Sequence, residues 1–99
     1  MTDQRHMTDE EKMRNAGEAR MIMEHPLVVA ALKEMERMCV EALVHCDMEK
    51  PEVERRFVES LRVVRQFKSR LQEHIDTGKI AEINQKQSSL FDRIRRKVA

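Results

Sequence analysis

The chain has 99 residues, of which 37% are charged and 40% hydrophobic, with two glycines, two prolines and three aromatic residues. This length allows one domain at most, and the composition excludes a thick globular core and favours a single small all-α domain. A formal net charge of +1 conceals an asymmetry, because residues 1–50 have a net charge of −4 and residues 79–99 a net charge of +4. Solvated helix faces are the simplest explanation, and self-association or an acidic partner for the tail is the alternative.

The N-terminal segment predicts a disordered start over residues 1–7, followed by a helix over about residues 9–24. Thr8 and Glu11 have the spacing of a capping box, in which the Thr8 hydroxyl accepts a hydrogen bond from the Glu11 amide. Acidic residues in the first turn also suit the positive end of the helix dipole. The apolar residues of this helix that we expect to face a partner are Met13, Ala16, Ala19, Ile22 and Met23.

A second helix is predicted over about residues 26–46, after a break at His25. Pro26 has no amide donor and restricts the residue before it, yet it fits the first position of a helix. Apolar residues then recur at spacings of three and four, which is the helical pattern. They are Val28, Ala31, Leu32, Met35, Met38, Cys39, Ala42, Leu43 and Cys46.

A third helix is predicted over about residues 51–77, beginning at Pro51 after a turn that Asp47 caps. The short connection predicts that the second and third helices form an antiparallel hairpin. Lys68 interrupts the apolar stripe of the third helix. The stripe consists of Val53, Phe57, Leu61, Val64, Leu71 and Ile75, with Phe67 beside it.

The stretch "HIDTGKIAE" contains Gly78-Lys79 and invites comparison with a phosphate-binding loop. Such a loop needs two glycines with four residues between them, a preceding strand, and a hydroxyl residue after the lysine. Here there is one glycine, no strand pattern, and Ile80 in the place of the hydroxyl. Gly78 follows a helical stripe, so we predict that it is a helix cap. Residues 79–99 are then a basic tail that becomes helical with a partner, Ser88 or Ser89 capping its last helix.

Neither a metal site nor a catalytic centre is indicated. Cys39 and Cys46 lie seven residues apart on one helix, too far for a disulfide, and no closely paired Cys or His ligands occur. Both thiols fall on an apolar stripe, where cysteine behaves as a small hydrophobe. We therefore predict no enzyme activity, no cofactor, and no catalytic, cofactor-binding or metal-binding residues.

The basic end of the chain is the strongest candidate for nucleic-acid contact. Its four cationic residues would act by neutralising phosphates. The alternative is that basic residues simply favour the C-terminus of a helix. These residues are Arg93, Arg95, Arg96 and Lys97.

Protein–protein contact is the preferred role for the apolar residues that a thin hairpin cannot bury. Methionine adapts to irregular partner surfaces, and five methionines cluster in the first two helices. The polar N-terminus and short apolar runs predict no membrane association and a cytoplasmic location. The predicted interface residues are Met13, Ile22, Met23, Met35, Met38, Phe67, Ile80, Ile83, Leu90, Phe91 and Ile94.

With these residues in place, about residues 18–82 resemble small α-helical proteins encoded in the structural gene clusters of tailed bacteriophages and prophages. In that group a helix opened by Pro-Leu is followed by a hairpin turn and by a long helix ending in a Gly-Lys-(Ile/Met/Val)-Ala element. The second helix departs from the group, because Met38, Cys39 and Val40 stand where aromatic residues are expected. The likeness rests on Pro26, Leu27, Arg65, Leu71, Ile75, Thr77, Gly78, Lys79 and Ala81.

The resemblance implies association with phage structural genes and no particular activity. Our hypothesis is a non-enzymatic homo-oligomer that docks on phage structural proteins during virion assembly, in the host cytoplasm or in the virion. One alternative is a nucleic-acid-binding or packaging accessory protein that uses the basic tail. A further alternative is a phage-encoded inhibitor that engages a host protein through the acidic first half.

Overall fold

A computed structural model describes residues 6–98, which form three α-helices and, within that range, no strand. The helices are α1 (Asp9–Glu24), α2 (Pro26–His45) and α3 (Pro51–Val98). The prediction of an all-α fold is therefore confirmed. The chain divides into two compact units: a terminal unit, Met1–Arg20 with Leu71–Ala99, and a hairpin unit, Met21–Arg70.

The start of α1 follows the predicted cap. The amide of Glu11 donates a hydrogen bond to the Thr8 hydroxyl oxygen at 3.2 Å, and the amide of Lys12 donates to the Thr8 carbonyl at 3.0 Å. The predicted disordered start falls mostly on residues 1–5, which lie outside the described residues. Met7, by contrast, is buried, and its sulfur accepts a hydrogen bond from the Asn15 side-chain amide at 3.1 Å.

A single extended residue separates α1 from α2, as Pro26 predicts. His25 has φ −66° and ψ 123°, and α2 begins at the proline. The Nδ1 atom of His25 accepts a hydrogen bond from the Leu27 amide at 3.2 Å, which satisfies one of the donors that a helix start leaves unpaired. The imidazole therefore serves here as a helix cap.

The hairpin unit is closed by the predicted turn. Asp47 accepts a hydrogen bond from the Glu49 amide at its side chain, at 2.9 Å, and one from the Lys50 amide at its carbonyl, at 3.0 Å. α3 then begins at Pro51 and runs antiparallel to α2. All six residues of the predicted α3 stripe are buried or half-buried: Val53, Phe57, Leu61, Val64, Leu71 and Ile75.

Lys68, which interrupts that stripe, is explained by an ion pair between the two helices of the hairpin. Its ammonium nitrogen lies 3.0 Å from the Glu36 carboxylate, and both side chains are partly covered. The aliphatic stem of Lys68 can then cover apolar surface while its charge is paired. Glu36 occupies the half-buried side of α2, and sequence periodicity gave no sign of this pairing.

Two predictions about the end of the third helix are wrong. α3 does not stop at residue 77, and it does not restart at Ser88 or Ser89, because it continues without a break to Val98. Gly78 is not a helix cap, since a left-handed cap requires positive φ and no described glycine has it. Residues 79–98 therefore belong to the same helix as the hairpin.

Gly78 is instead the point where α1 and α3 approach each other within the terminal unit. A Cβ atom placed on Gly78 would lie 2.1 Å from the Cβ of Ala16 and 3.0 Å from the carbonyl oxygen of Lys12. Ala19 and Ala81, which are 3% and 2% exposed, complete this seam of small residues. Glycine in mid-helix costs about 1 kcal/mol relative to alanine. Close contact between the helices is the physical reason that offsets this cost.

The two glycines allow a matched test of this contact. Gly17 lies in mid-helix with open space around its Cα, so Gly17→Ala should stabilise the fold by up to about 1 kcal/mol. Gly78→Ala should destabilise it by on the order of 1 kcal/mol net, because the new methyl group separates the helices. Urea unfolding at one fixed protein concentration, followed by circular dichroism, measures both changes.

A double-mutant cycle with Ala16→Gly serves as the control for that test. Removing the Ala16 methyl group should recover part of the stability lost in Gly78→Ala, which gives a favourable coupling energy between the two positions. Equal stabilisation by Gly17→Ala and Gly78→Ala would contradict the close contact.

Val63 and Val64 are adjacent residues of the same type, but Val63 is 64% exposed and Val64 is 5% exposed. They therefore allow a second matched comparison. Val64→Asp should destabilise the hairpin by several kcal/mol, because it places a carboxylate against apolar neighbours. Val63→Asp should cost less than about 1 kcal/mol. Thermal unfolding measures the difference, and similar losses in both variants would show that the assigned α2-facing side of α3 is incorrect.

Candidate protein-interaction surfaces

Most large apolar side chains of the described residues are exposed. Only six hydrophobic residues are buried, and three of these are alanines, whereas seventeen large hydrophobic residues are exposed. Isolated exposed apolar residues are ordinary on protein surfaces, but contiguous exposed patches mark interaction sites. A candidate interaction surface therefore requires several of these seventeen residues to lie together.

The residues predicted for an interface are mostly accessible. Two of them, Met13 and Met23, are half-buried on α1. Their role as partner contacts stays a prediction, because no partner chain is present. The exposed members of the predicted set are Ile22, Met35, Met38, Phe67, Ile80, Ile83, Leu90, Phe91 and Ile94.

One continuous surface lies in the hairpin unit, between α2 and α3. It is an open, almost wholly apolar groove, here called the methionine groove, and Phe67 lies one turn beyond Val63 along α3. It exists because the apolar stripe of α2 is wider than the face that α3 covers: Leu32 and Cys39 are half-buried, while Met35 and Met38 are exposed. The groove is lined by Met35, Met38, Cys39, Ser60, Val63 and Val64.

A second continuous surface lies on α3 in the terminal unit. Its residues fall within an arc of about 100° when each residue advances about 100° around the helix. This surface, here called the C-terminal stripe, is centred about 170° from the side of α3 that carries Ile75, Gly78 and Ala81. The stripe consists of Ile80, Ile83, Leu90, Phe91, Ile94 and Val98, all of them exposed.

The last part of α3 is uncovered on every side. Gln85 is half-buried, but every residue from Lys86 to Val98 is exposed. Within the described residues, nothing therefore packs against the final thirteen positions of the helix.

Three of the four basic residues predicted for nucleic-acid contact lie on one side of α3. At about 100° per residue, Arg93, Arg96 and Lys97 fall within an arc of about 100°, and Arg95 points at least about 100° away from each of them. Three of the four lie in the last turn, where cations interact favourably with the helix dipole. Nucleic-acid binding by this segment stays a prediction.

The ionisable groups with displaced pKa values lie on an exposed face of α2. Arg37 hydrogen-bonds both Glu34 and Glu41, and its contact with Glu41 measures 2.6 Å. The hydrogen bond from Arg37 lowers the pKa of Glu34, and the same carboxylates raise the pKa of Arg37. Such exposed ion pairs stabilise a protein little. They are helix-surface neighbours and do not form a catalytic arrangement.

The cysteines are free thiols, both half-buried. Cys46 ends α2 and its thiol donates a hydrogen bond to the Leu43 carbonyl at 3.1 Å, while Cys39 lines the methionine groove. Among residues 6–98, no group of three or more His, Cys, Asp or Glu is placed to hold a metal ion. The same residues include no helix with a segment apolar enough to span a bilayer.

Val63 and Val98, which belong to these surfaces, are absent from the predicted interface residues. Val63 lies four residues before Phe67 and three after Ser60, so helical spacing alone would have placed it beside the predicted interface. Val98 lies four residues after Ile94 and extends the stripe in the same way.

Comparisons of the chain with protein-family models, with curated proteins and with solved structures returned no match.

Proposed function

We propose that this chain is a non-enzymatic helical interaction protein that associates with itself and docks on a larger complex. The observation that supports this most is the imbalance between its small buried core and its exposed apolar surfaces. The methionine groove and the C-terminal stripe each bring several apolar residues together, with the polar Gln87 interrupting the stripe, whereas scattered apolar residues would need no explanation. Two separate surfaces give the chain two distinct places to bind other proteins.

The energetics favour covering these surfaces. Burying a whole Leu, Ile, Phe or Met side chain contributes about 1.5–3 kcal/mol, so covering the exposed half of each contributes about 1 kcal/mol. Summed over the six stripe residues, this is a substantial driving force, although association also costs translational and rotational freedom. A chain with little core of its own gains proportionately more from such contacts.

The resemblance of residues 18–82 to proteins from tailed-phage structural gene clusters supports a phage particle, or an assembly intermediate, as the larger complex. The opposite charges of the first half and the tail allow neighbouring copies to attract each other in an assembly.

Self-association predicts a particle mass above that of one chain, 11.8 kDa. Light scattering coupled to size-exclusion chromatography, over a range of concentrations, should show a dimer or larger species that dissociates on dilution. Hydrophobic association should persist in high salt, which screens exposed charges. A strict monomer at every concentration would remove the proposal.

Docking on a phage assembly predicts that the chain co-purifies with phage particles. Mass spectrometry of purified particles from the phage or prophage that carries the gene should detect it in a fixed ratio to a known structural protein. Cell lysate from the same infection provides the control for expression. A chain abundant in the lysate but missing from both particles and assembly intermediates would contradict a virion or assembly role and favour host-directed inhibition.

A further inference from the structure

We propose that the C-terminal stripe of α3 binds the same stripe of a second copy of this chain, as a parallel, in-register coiled coil. This inference rests on the proposed self-association and names its surface and orientation. The observations that carry it are the spacing of the stripe, the chemistry of its two flanks, and the lack of cover over residues 86–98 in the described structure.

The stripe has the spacing of a coiled-coil seam. From Ile80 the seam positions advance by three and four residues alternately, which keeps them facing a partner helix. From Ile83 to Ile94 the seam positions are Ile83, Gln87, Leu90 and Ile94, of which three are apolar and Gln87 is polar. The complete seam is Ile80, Ile83, Gln87, Leu90, Ile94 and Lys97.

The two flanks of this seam differ in chemistry. One flank carries only cations, Lys79, Lys86 and Arg93. The other flank carries no charge and is partly apolar, consisting of Asn84, Phe91 and Val98. Flanking residues of a coiled coil set the orientation of its helices, since they meet across the seam.

This asymmetry selects the parallel arrangement. In a parallel pair, each cationic flank lies beside the uncharged flank of the other helix, five residues further along. In an antiparallel pair each flank meets its own counterpart, so cations would face cations, which is unfavourable. The flanks therefore favour the parallel orientation, in which Lys97, at the end of the seam, meets Lys97 of the second copy as the one like-charged pair of the seam and flanks.

Specific contacts follow from the parallel register. Lys86 would lie beside Phe91 of the second copy, where its ammonium can interact with the ring face and its stem can cover apolar surface. In the single chain Lys86 pairs with Glu82 at 3.1 Å, but both side chains are largely exposed and this pair holds it weakly. Gln87 would meet Gln87 of the second copy, and a polar pair at one seam position fixes the register.

The fold leaves this surface free for a second copy. α1 contacts α3 through Ala16 and Gly78, on roughly the opposite side of the helix from the stripe. Pairing of two stripes therefore requires no rearrangement of the α1 contact. Residues 86–98 are the end of the continuous helix α3 and have no tertiary packing of their own, and unpacked helix ends fray. Association should therefore raise the helix content.

The surface is tested in the full chain with two variants of equal charge. Leu90→Asp/Ile94→Asp alters two exposed stripe residues, and Ser88→Asp/Ser89→Asp makes the same charge change on neighbouring residues outside the seam. Light scattering should show that the first variant is monomeric at concentrations where the second and the unaltered chain associate. Circular dichroism on dilution should show loss of helix content in the unaltered chain and no further loss in the first variant.

Orientation is tested by disulfide trapping. In a chain with Cys39→Ala and Cys46→Ala, the single change Ile94→Cys should give a covalent dimer under oxidised glutathione, because equivalent residues meet in a parallel pair. Ile83→Cys should also give a covalent dimer by itself. In an antiparallel pair, Ile94→Cys would cross-link with Ile83→Cys in a mixture, and neither variant would cross-link alone.

The outcomes separate this inference from the proposed function. Association that survives Leu90→Asp/Ile94→Asp unchanged overturns the stripe as the contact and leaves the methionine groove as the surface for self-association. Cross-linking only in the mixture overturns the parallel orientation. An unaltered chain that stays monomeric overturns both this inference and the proposed self-association.

Discussion

The contact between Gly78 and Ala16 constrains the terminal unit more than any other. With 2.1 Å between a hypothetical Cβ on Gly78 and the Ala16 Cβ, the backbones of α1 and α3 are as close as glycine permits. Small residues at such a seam give many backbone contacts but bury little side-chain volume. The large apolar residues of the same part of α3 consequently lie elsewhere on the helix, which is how a chain with 40% hydrophobic residues comes to have so small a core.

The hairpin unit also leaves large apolar residues exposed, but for a different reason. Here the facing residues are larger, with Val64 buried and Glu36 paired to Lys68 across the interface. Apolar residues stay exposed because α2 is apolar around much of its circumference, while one neighbouring helix can cover only one side. Met35 and Met38 are left at the edge. Their flexible side chains suit a partner surface of irregular shape, which a rigid β-branched residue would not.

Local sequence signals were sufficient to predict the cap, the break and the turn that depend on hydrogen bonds between nearby residues. The Thr8 cap, the break at His25 and the turn at Asp47 each arise from hydrogen bonds within a few residues, so their sequence signals are direct. The buried stripe of α3 could also be predicted, because apolar residues at helical spacing lie on one side of the helix and are buried together. Gly78 was misassigned because a helix cap and a close helix crossing both favour glycine, and only a distant residue, Ala16, distinguishes them. Helical spacing likewise does not predict the Glu36–Lys68 ion pair, because its two residues are distant from each other in the sequence.

Because α3 continues through Gly78, the C-terminal stripe and the α1 contact lie on one uninterrupted helix. Had the helix ended there, the direction of the stripe would be independent of the α1 contact. In one uninterrupted helix, the number of residues between Gly78 and Ile80 fixes the angle between the two faces, since each residue contributes about 100° of rotation. The apolar residues of the last turns therefore point away from α1 by necessity. The same glycine that allows α1 to approach on one side thereby leaves the opposite side of α3 open to a second chain.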